Sequence, residues 1–379
     1  MRTRTSPGRL ALALRISLAV LLVAALPAPP APPVRADALL VVIFTGDSST
    51  VGTLRSAILA ANAAGGGTIT FDESLAGKTI LLDSPLPVIT ANLDIDAGRL
   101  SEPVTISGGG RVRVLESAPS VVLNLIGLII TGGQASDGCG GISAGGILLL
   151  QRCTVVGNRT EGDGGGACAG FHAVVTDSTI SDNTAKGSGG GLRVNWLLRV
   201  QNSTISGNAA LGHGGGAYVD RDVDLIESTI SGSSAGYSGG GVVAGGAVRV
   251  ISSTLEANEA LDVGGALLAE GKVEITNSTL AANAARVGGA VFAMGGAAVL
   301  HSTFRQNRPS EMGAHLVASG VVTLTNNIFA GAAGAIGDCW YTTGTPTLGA
   351  NLVQNGDCSA TVTGDPLLGP LGDHGGPTP

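Results

Sequence analysis

Aromatic side chains are scarce in this chain: Phe, Trp and Tyr together make 3% of its 379 residues. One large globular core is normally built with rings, so thin stacked layers of Val, Leu, Ile and Ala suit this composition better. Charge is low as well, at 13% against about 25% in an average domain. The net charge is −7, and no basic patch with interleaved aromatics occurs, which excludes nucleic acid as a partner. Beyond residue 36 no apolar run approaches the roughly 20 residues of a membrane helix. The five cysteines lack a His or Cys at ligand spacing, and His172, His213, His301, His315 and His374 share no register. No metal site and no cofactor is therefore expected. The glycine clusters open no helix and precede no Lys-Ser/Thr, so they are not phosphate loops.

What the chain has instead is repetition. A glycine cluster, an apolar run, Ser-Thr-aliphatic and an Asn recur over residues 139–329. The Thr falls at Thr154, Thr179, Thr204, Thr229, Thr254, Thr279 and Thr303, in steps of 25 residues and a last step of 24. A fixed step of this size marks a solenoid, whose turns bury their apolar faces only against each other. Twenty-five residues are too few for a βαβ unit but enough for one coil of a parallel β-helix. Period-two alternation assigns the columns. Leu148 and Leu150, with their successors, point inward, as do the aliphatic after Thr and the Ser before it, while Thr points out. A further inward column reads Ile142, Ala167, Leu192, Ala217, Val242, Ala266, Ala290 and Ala314. About three short strands per coil are expected, with Asn158, Asn183, Asn208, Asn258, Asn283 and Asn307 stacking at one bend in left-handed backbone. Ser233 interrupts that stack.

Ahead of the array, Arg2, Arg4, Arg9 and Arg15 precede an apolar run over 16–26 and then Pro and small residues. This is a secretory signal peptide over 1–36, with cleavage after Ala36. The pattern predicts a strand over 37–44. Leu54, Ala57, Ile58 and Ala61 then recur at helical spacing up to Gly65, so residues 37–67 form a strand and a helix that caps the solenoid's open end. Short strands follow at 68–71, 79–82, 93–96, 104–107 and 112–115, so 68–138 are irregular first coils. The segment 124–131 leads into the array, with Leu128 in the Thr place. Residues 330–379 are irregular final coils, expected to stop before an anchor. Cys339 and Cys358 are expected to pair in an oxidising compartment. Cys153 stands in the Ser column as a buried thiol, and a bond between Cys139 and Cys168 stays open, though register does not support it.

The segments TLRSAILAANA and GGGTITFDESLAGKTI resemble the N-terminal cap of exported proteins with a CSLREA-type segment. The repeated STISGN…GGG phrase resembles the coils of polymorphic outer-membrane protein-like, or pectin-lyase-like, proteins. The end, NLVQNGDCSATVTGDPLLGPLGDHGGPTP, resembles a choice-of-anchor Q region. The resemblance implies an all-β, single-stranded right-handed parallel β-helix at the cell surface, and it implies no particular reaction. Thr53 stands where these proteins carry a Cys, so any bond made there is absent here.

Three functions fit this shape. The first is an exported, non-enzymatic, adhesin-like rod that contacts a surface glycan, matrix or another cell-surface protein. The second is a polysaccharide lyase or glycoside hydrolase, for which the densest charged group, Asp220, Arg221, Asp222 and Asp224, supplies the candidate catalytic residues. The coils on either side offer Asn195, Trp196, Leu197 and Arg199, and Gly245, Gly246, Ala247 and Arg249. These do not make an acid–base set, which favours the rod. The third, ice binding by the Thr column, wants a second Thr two residues on. Those places hold Val156, Ser181, Ser206, Ser231, Glu256, Ala281 and Arg305.

Overall fold

The computed structural model describes residues 38–332, 337–343, 346–354, 358, 362–369 and 371. The leader read over 1–36 lies outside the described residues, as does His374. From Ala38 onward the chain winds into a parallel β-solenoid. Each regular coil contributes one strand to each of four sheets, as in Ile142–Ala144 (sheet 1), Ile147–Gln151 (sheet 2), Thr154–Val156 (sheet 3) and Arg159–Thr160 (sheet 4). Among the described residues the four sheets hold 10, 13, 13 and 8 strands, and every pairing is parallel between successive coils. Thirteen rungs at the usual parallel spacing extend about 58 Å. The coil thus carries four strands where the sequence pattern predicts three. The fourth has only two residues after the Asn, too short to show any alternation.

The inward columns form one continuous apolar core from Val42 to Cys358. Val155, Ile180, Ile205, Ile230, Leu255, Leu280 and Phe304 stack fully buried at sheet 3. Sheet 1 departs from the expected column at its far end. Val242 pairs with Leu267, Leu267 with Val291 and Val291 with Leu316, not with the alanines one or two positions earlier. Ala266 and Ala290 stand where earlier coils carry their third glycine. They are buried too, so apolarity alone did not separate the two registers. Likewise Ile129, not Leu128, pairs with Thr154, and the segment 124–131 belongs to two strands broken at Gly127. The strand expected at 112–115 is Leu115–Ser117.

The glycine triplets have two separate causes. Gly164 has φ +72°, a left-handed turn residue. Gly165 and Gly166 do not, but a methyl group on Gly165 would strike the carbonyl oxygens of Gly190 and Thr184, one in the next coil and one across the same coil. The solenoid is only one glycine thick there.

Two polar columns are buried beside the core. In the first, Cys153, Ser178, Ser203, Ser228, Ser253, Ser278 and Ser302 are each donor to the next: the Ser178 N–H donates to Ser203 Oγ at 3.0 Å, and the Ser178 hydroxyl donates to the Thr176 carbonyl at 2.7 Å. Asn327 and Asn351 continue this column. In the second, the Asn183 N–H and Nδ2 each donate to Asn208 Oδ1 at 3.0 Å, and Nδ2 also donates to the Val155 carbonyl at 2.9 Å. The Asn side chains are not themselves left-handed. That conformation falls on the preceding residue, Gly157, Asp182, Gly207, Ala257, Ala282 or Gln306, and on Gly232 before Ser233, while the Asn turns inward. Before the Ser column the same role falls on Arg152, Asp177, Asn202, Glu227, Ser252, Asn277 and His301, all with φ between +47° and +51°.

Before the regular coils, strand β1 (Ala38–Val42) pairs with β2 (Gly67–Phe71), and helix α1 (Leu54–Ala64) fills the turn between them. Leu54, Ala57, Ile58 and Ala61 join the core. Thr53 is the helix N-cap, its hydroxyl accepting from the Ser56 N–H at 3.2 Å. Gly65 ends the helix at φ +80°. Arg55 grips Asp47 through two 2.8 Å hydrogen bonds and the carbonyls of Ser84 and Pro85, tying the helix to the following loop. Cys339 and Cys358 are bonded, with Cα atoms 4.9 Å apart. Cys139 and Cys168 are bonded as well, Cα atoms 5.8 Å apart, and Cys153 is free and buried. Register gave no hint of the Cys139–Cys168 bond. Cys168 projects from the outer face of sheet 1, where the glycine-bearing loop arches over it, and Cys139 reaches it from the loop of the coil before.

Candidate functional site

The outer face of sheet 2 carries the charge. In one column, Arg199 pairs in register with Asp224, Asp224 with Arg249 and Arg249 with Glu274. In-register side chains sit about 4.8 Å apart in a parallel sheet, so alternating signs hold each other in place. Asp224 accepts from Arg199 Nη2 at 3.0 Å and from Arg249 Nε at 3.0 Å. Partial burial opposes its ionisation, but the hydrogen bonds from Arg249 and Arg199 prevail and hold the carboxyl below its ordinary value. Arg249 is correspondingly raised by Asp224. Lys272 closes the row, 2.7 Å from Glu274.

A shallow groove of about 330 Å³ runs over this row, floored by Val223 and Val248 and walled by Asp222, Asp224, Arg249 and Lys272. The structure therefore brings Asp222 and Asp224 to one groove but separates them from the rest of the expected catalytic group. Asp220 faces sheet 1, with its two oxygens 2.9 and 3.0 Å from Arg193 Nη2. Asp222 accepts the Ala247 N–H of the next coil at 2.7 Å. Arg221 leaves the carboxylates and lies over the Trp196 ring, 5.2 Å from its centroid. Each of the three carboxylates thus has a structural donor. A glycosidase acid needs a carboxyl held above its ordinary value, and Asp224 is shifted the other way.

The corner between sheets 1 and 2 holds Phe171, which sequence reasoning passed over, beside Trp196 and Arg221, which it weighed only for acid–base chemistry. Phe171, Trp196 and Arg221 occupy one register position on three successive coils. The Phe171 and Trp196 ring centroids are 5.5 Å apart and both rings are exposed. Gly146 precedes them and Gly246 and Gly271 follow, so the stack stands proud of a bare corner. Trp196 and Arg199 lie one coil from Arg221 and Asp224, and the 25-residue step was the signal that joins them.

The remaining candidates have structural places. The Thr column of sheet 3 is in register from Thr154 to Thr303, but the column beside it is broken by Glu256, Ala281 and Arg305. His172 packs on Phe171, His213 stacks on Tyr237, and His315 is buried beside the stacked pair Phe304 and Phe329. Among the described residues no three His, Cys, Asp or Glu side chains gather closely enough to hold a metal ion, and no helix is long and apolar enough to cross a membrane.

Residues 191–353 match the family described as a right handed beta helix region. This agrees with the parallel coils, whose crossover connections favour the right hand. No curated protein matches the chain.

Proposed function

We propose that this chain is an exported, non-enzymatic β-helical surface rod, adhesin-like, that contacts a glycan or matrix component through the side chains of its lateral faces. The observation that supports it is the clamping of Asp224 between Arg199 and Arg249. A carboxylate spent on two guanidinium groups is neither a poised acid nor a free base. The same arrangement builds a rigid, patterned surface that needs no moving part. In this reading the leader over 1–36 directs export, helix α1 covers the first coil against edge pairing, and the region after residue 330 leads toward an anchor of the choice-of-anchor Q kind.

The test is incubation of the secreted protein with acidic and neutral polysaccharides, with and without Ca²⁺, followed by assay for new reducing or unsaturated ends. None are expected. Product release that disappears in Asp222→Ala would make the chain a lyase or hydrolase and overturn the reading.

A further inference from the structure

Resting on that reading, the structure assigns a binding site for a neutral, extended polysaccharide to the Phe171–Trp196–Arg221 shelf and the groove beside it. The shelf is linear and parallel to the rod axis, one group per coil, so its repeat is the coil spacing of about 4.8 Å. A pyranose residue in an extended chain is about as long. Sugar rings present flat C–H faces that pack on aromatic rings, and Phe171 and Trp196 offer two such surfaces to solvent, 44% and 46% exposed. Their centroids are 5.5 Å apart, which sets two consecutive sugars on two consecutive coils. Arg221 extends the row, its guanidinium already oriented by the Trp196 ring.

From Trp196 the surface continues through Leu197 and Asp222 into the groove over Asp224, Arg249 and Lys272. The path from Phe171 to Lys272 crosses four coil steps, about 19 Å. Along it donors and acceptors alternate, as Arg221, Asp222, Arg249 and Glu274 do. Hydroxyl groups both donate and accept, so a neutral sugar chain satisfies such a row, whereas an anionic chain would meet Asp222, Asp224 and Glu274 set between the cations. The chain's own charge of −7 points the same way. The apolar area is small, two exposed rings and a narrow strip of Leu197, Val223 and Val248, which suits a sugar chain better than a protein interface with a buried core.

The experiment is affinity electrophoresis of the full secreted chain in gels containing xylan, mannan or a soluble cellulose ether, with polygalacturonate as the anionic probe. At least one neutral polysaccharide is expected to retard it. The Phe171→Gly/Trp196→Gly double variant should lose about tenfold in apparent affinity, the size of a stacking contact. Trp196→Phe should retain most of the retardation. Glycine is the resident at this register in neighbouring coils, and an unchanged thermal midpoint checks the fold. Retardation untouched by the double variant overturns the shelf, as does retardation by polygalacturonate alone or by none of the probes. New reducing ends in the same gels would instead overturn the non-enzymatic reading.

Discussion

Asn307 donates its carboxamide N–H to His315 Nδ1 at 3.1 Å, and this contact ends the asparagine column. Asn307 Oδ1 is committed to Asn283, and Nδ2 also donates to the Leu280 carbonyl at 2.8 Å, so the amide orientation is set by the column. Nδ1 must therefore accept, which leaves the proton on Nε2, a buried atom with no partner. His315 occupies the place that Ala290 and Ala266 hold in earlier coils.

A pH dependence follows from this pair. Burial pushes the His315 imidazole from 6.5 down to about 3. The unfolded chain takes up the proton below 6.5 while the folded chain does not until about 3, so stability falls as pH falls through that window. The expected loss is about 3 kcal/mol between about pH 7 and pH 4. Asp47 and Asp224, whose carboxyls are held below the ordinary value of 3.8, lose their contribution only at more acidic pH. Urea midpoints measured across the window should slope for the native chain and flatten in His315→Ala. A slope unchanged by that substitution would reject the assignment.

The asparagine column has one gap. Ser233 stands between Asn208 and Asn258, and its hydroxyl reaches Asn208 N–H only at 3.4 Å. Asn208 and Asn258 each cap a sheet 3 carbonyl of the coil before, at Ile180 and Ile230, and Ser233 leaves the equivalent Ile205 without that donor. Ser233→Asn should therefore raise stability by about 1 kcal/mol, the net worth of one buried hydrogen bond. Asn258→Ala removes an acceptor from the Ser233 N–H and a donor from Ile230, and should cost about 3 kcal/mol. Thermal unfolding of both variants checks the sign and the ratio.

Glu227 is exposed and held at φ +49°, a conformation that disfavours a branched or extended side chain. Its register partners Asn202 and Asn277 tolerate it better. Glu227→Asn should gain about 0.5–1 kcal/mol. Glu227→Gly relaxes the same strain but adds freedom to the unfolded chain, so its gain should be smaller. Equal midpoints for all three proteins would mean that the turn stores no strain.

The Cys139–Cys168 bond closes a loop of 29 residues across two coils. Cys139→Ser should lower stability by about 3–4 kcal/mol through the greater freedom of the unfolded chain. Reduction of the native chain should reproduce the loss at this end of the array, read by hydrogen exchange in the coils around residues 139–169.

How much of this was legible in the sequence depends on which side chains repeat. Thr154 to Thr303 recur because backbone register forces one position per coil, so the coil and its inward columns could be read directly. The reading slipped by one residue where two buried apolar residues stood together, at Ala266-Leu267 and Ala290-Val291, since hydrophobicity cannot say which one faces the core. The two-residue sheet 4 left no alternation to read. At the site, Arg199, Asp224 and Arg249 were visible as neighbours at the coil step, but a search for catalytic carboxylates took their alternation in sign as a failure to converge. Phe171 went unread, and Trp196 was weighed only as a neighbour of the carboxylates, because a single ring in a bend has no period of its own.

The ladder at Ser233 also bears on what happens under load. The inter-coil hydrogen bonds of a parallel solenoid lie along its axis, so a pull on the two ends strains them one rung at a time. Within the asparagine column, the coil of Ser233, which has a hydroxyl in place of an amide, is the weakest rung. Each coil that lets go releases 25 residues, roughly 80 Å of extended chain, in place of one rung. A rod built this way lengthens in steps before it breaks, and within the asparagine column residue 233 marks the weakest rung.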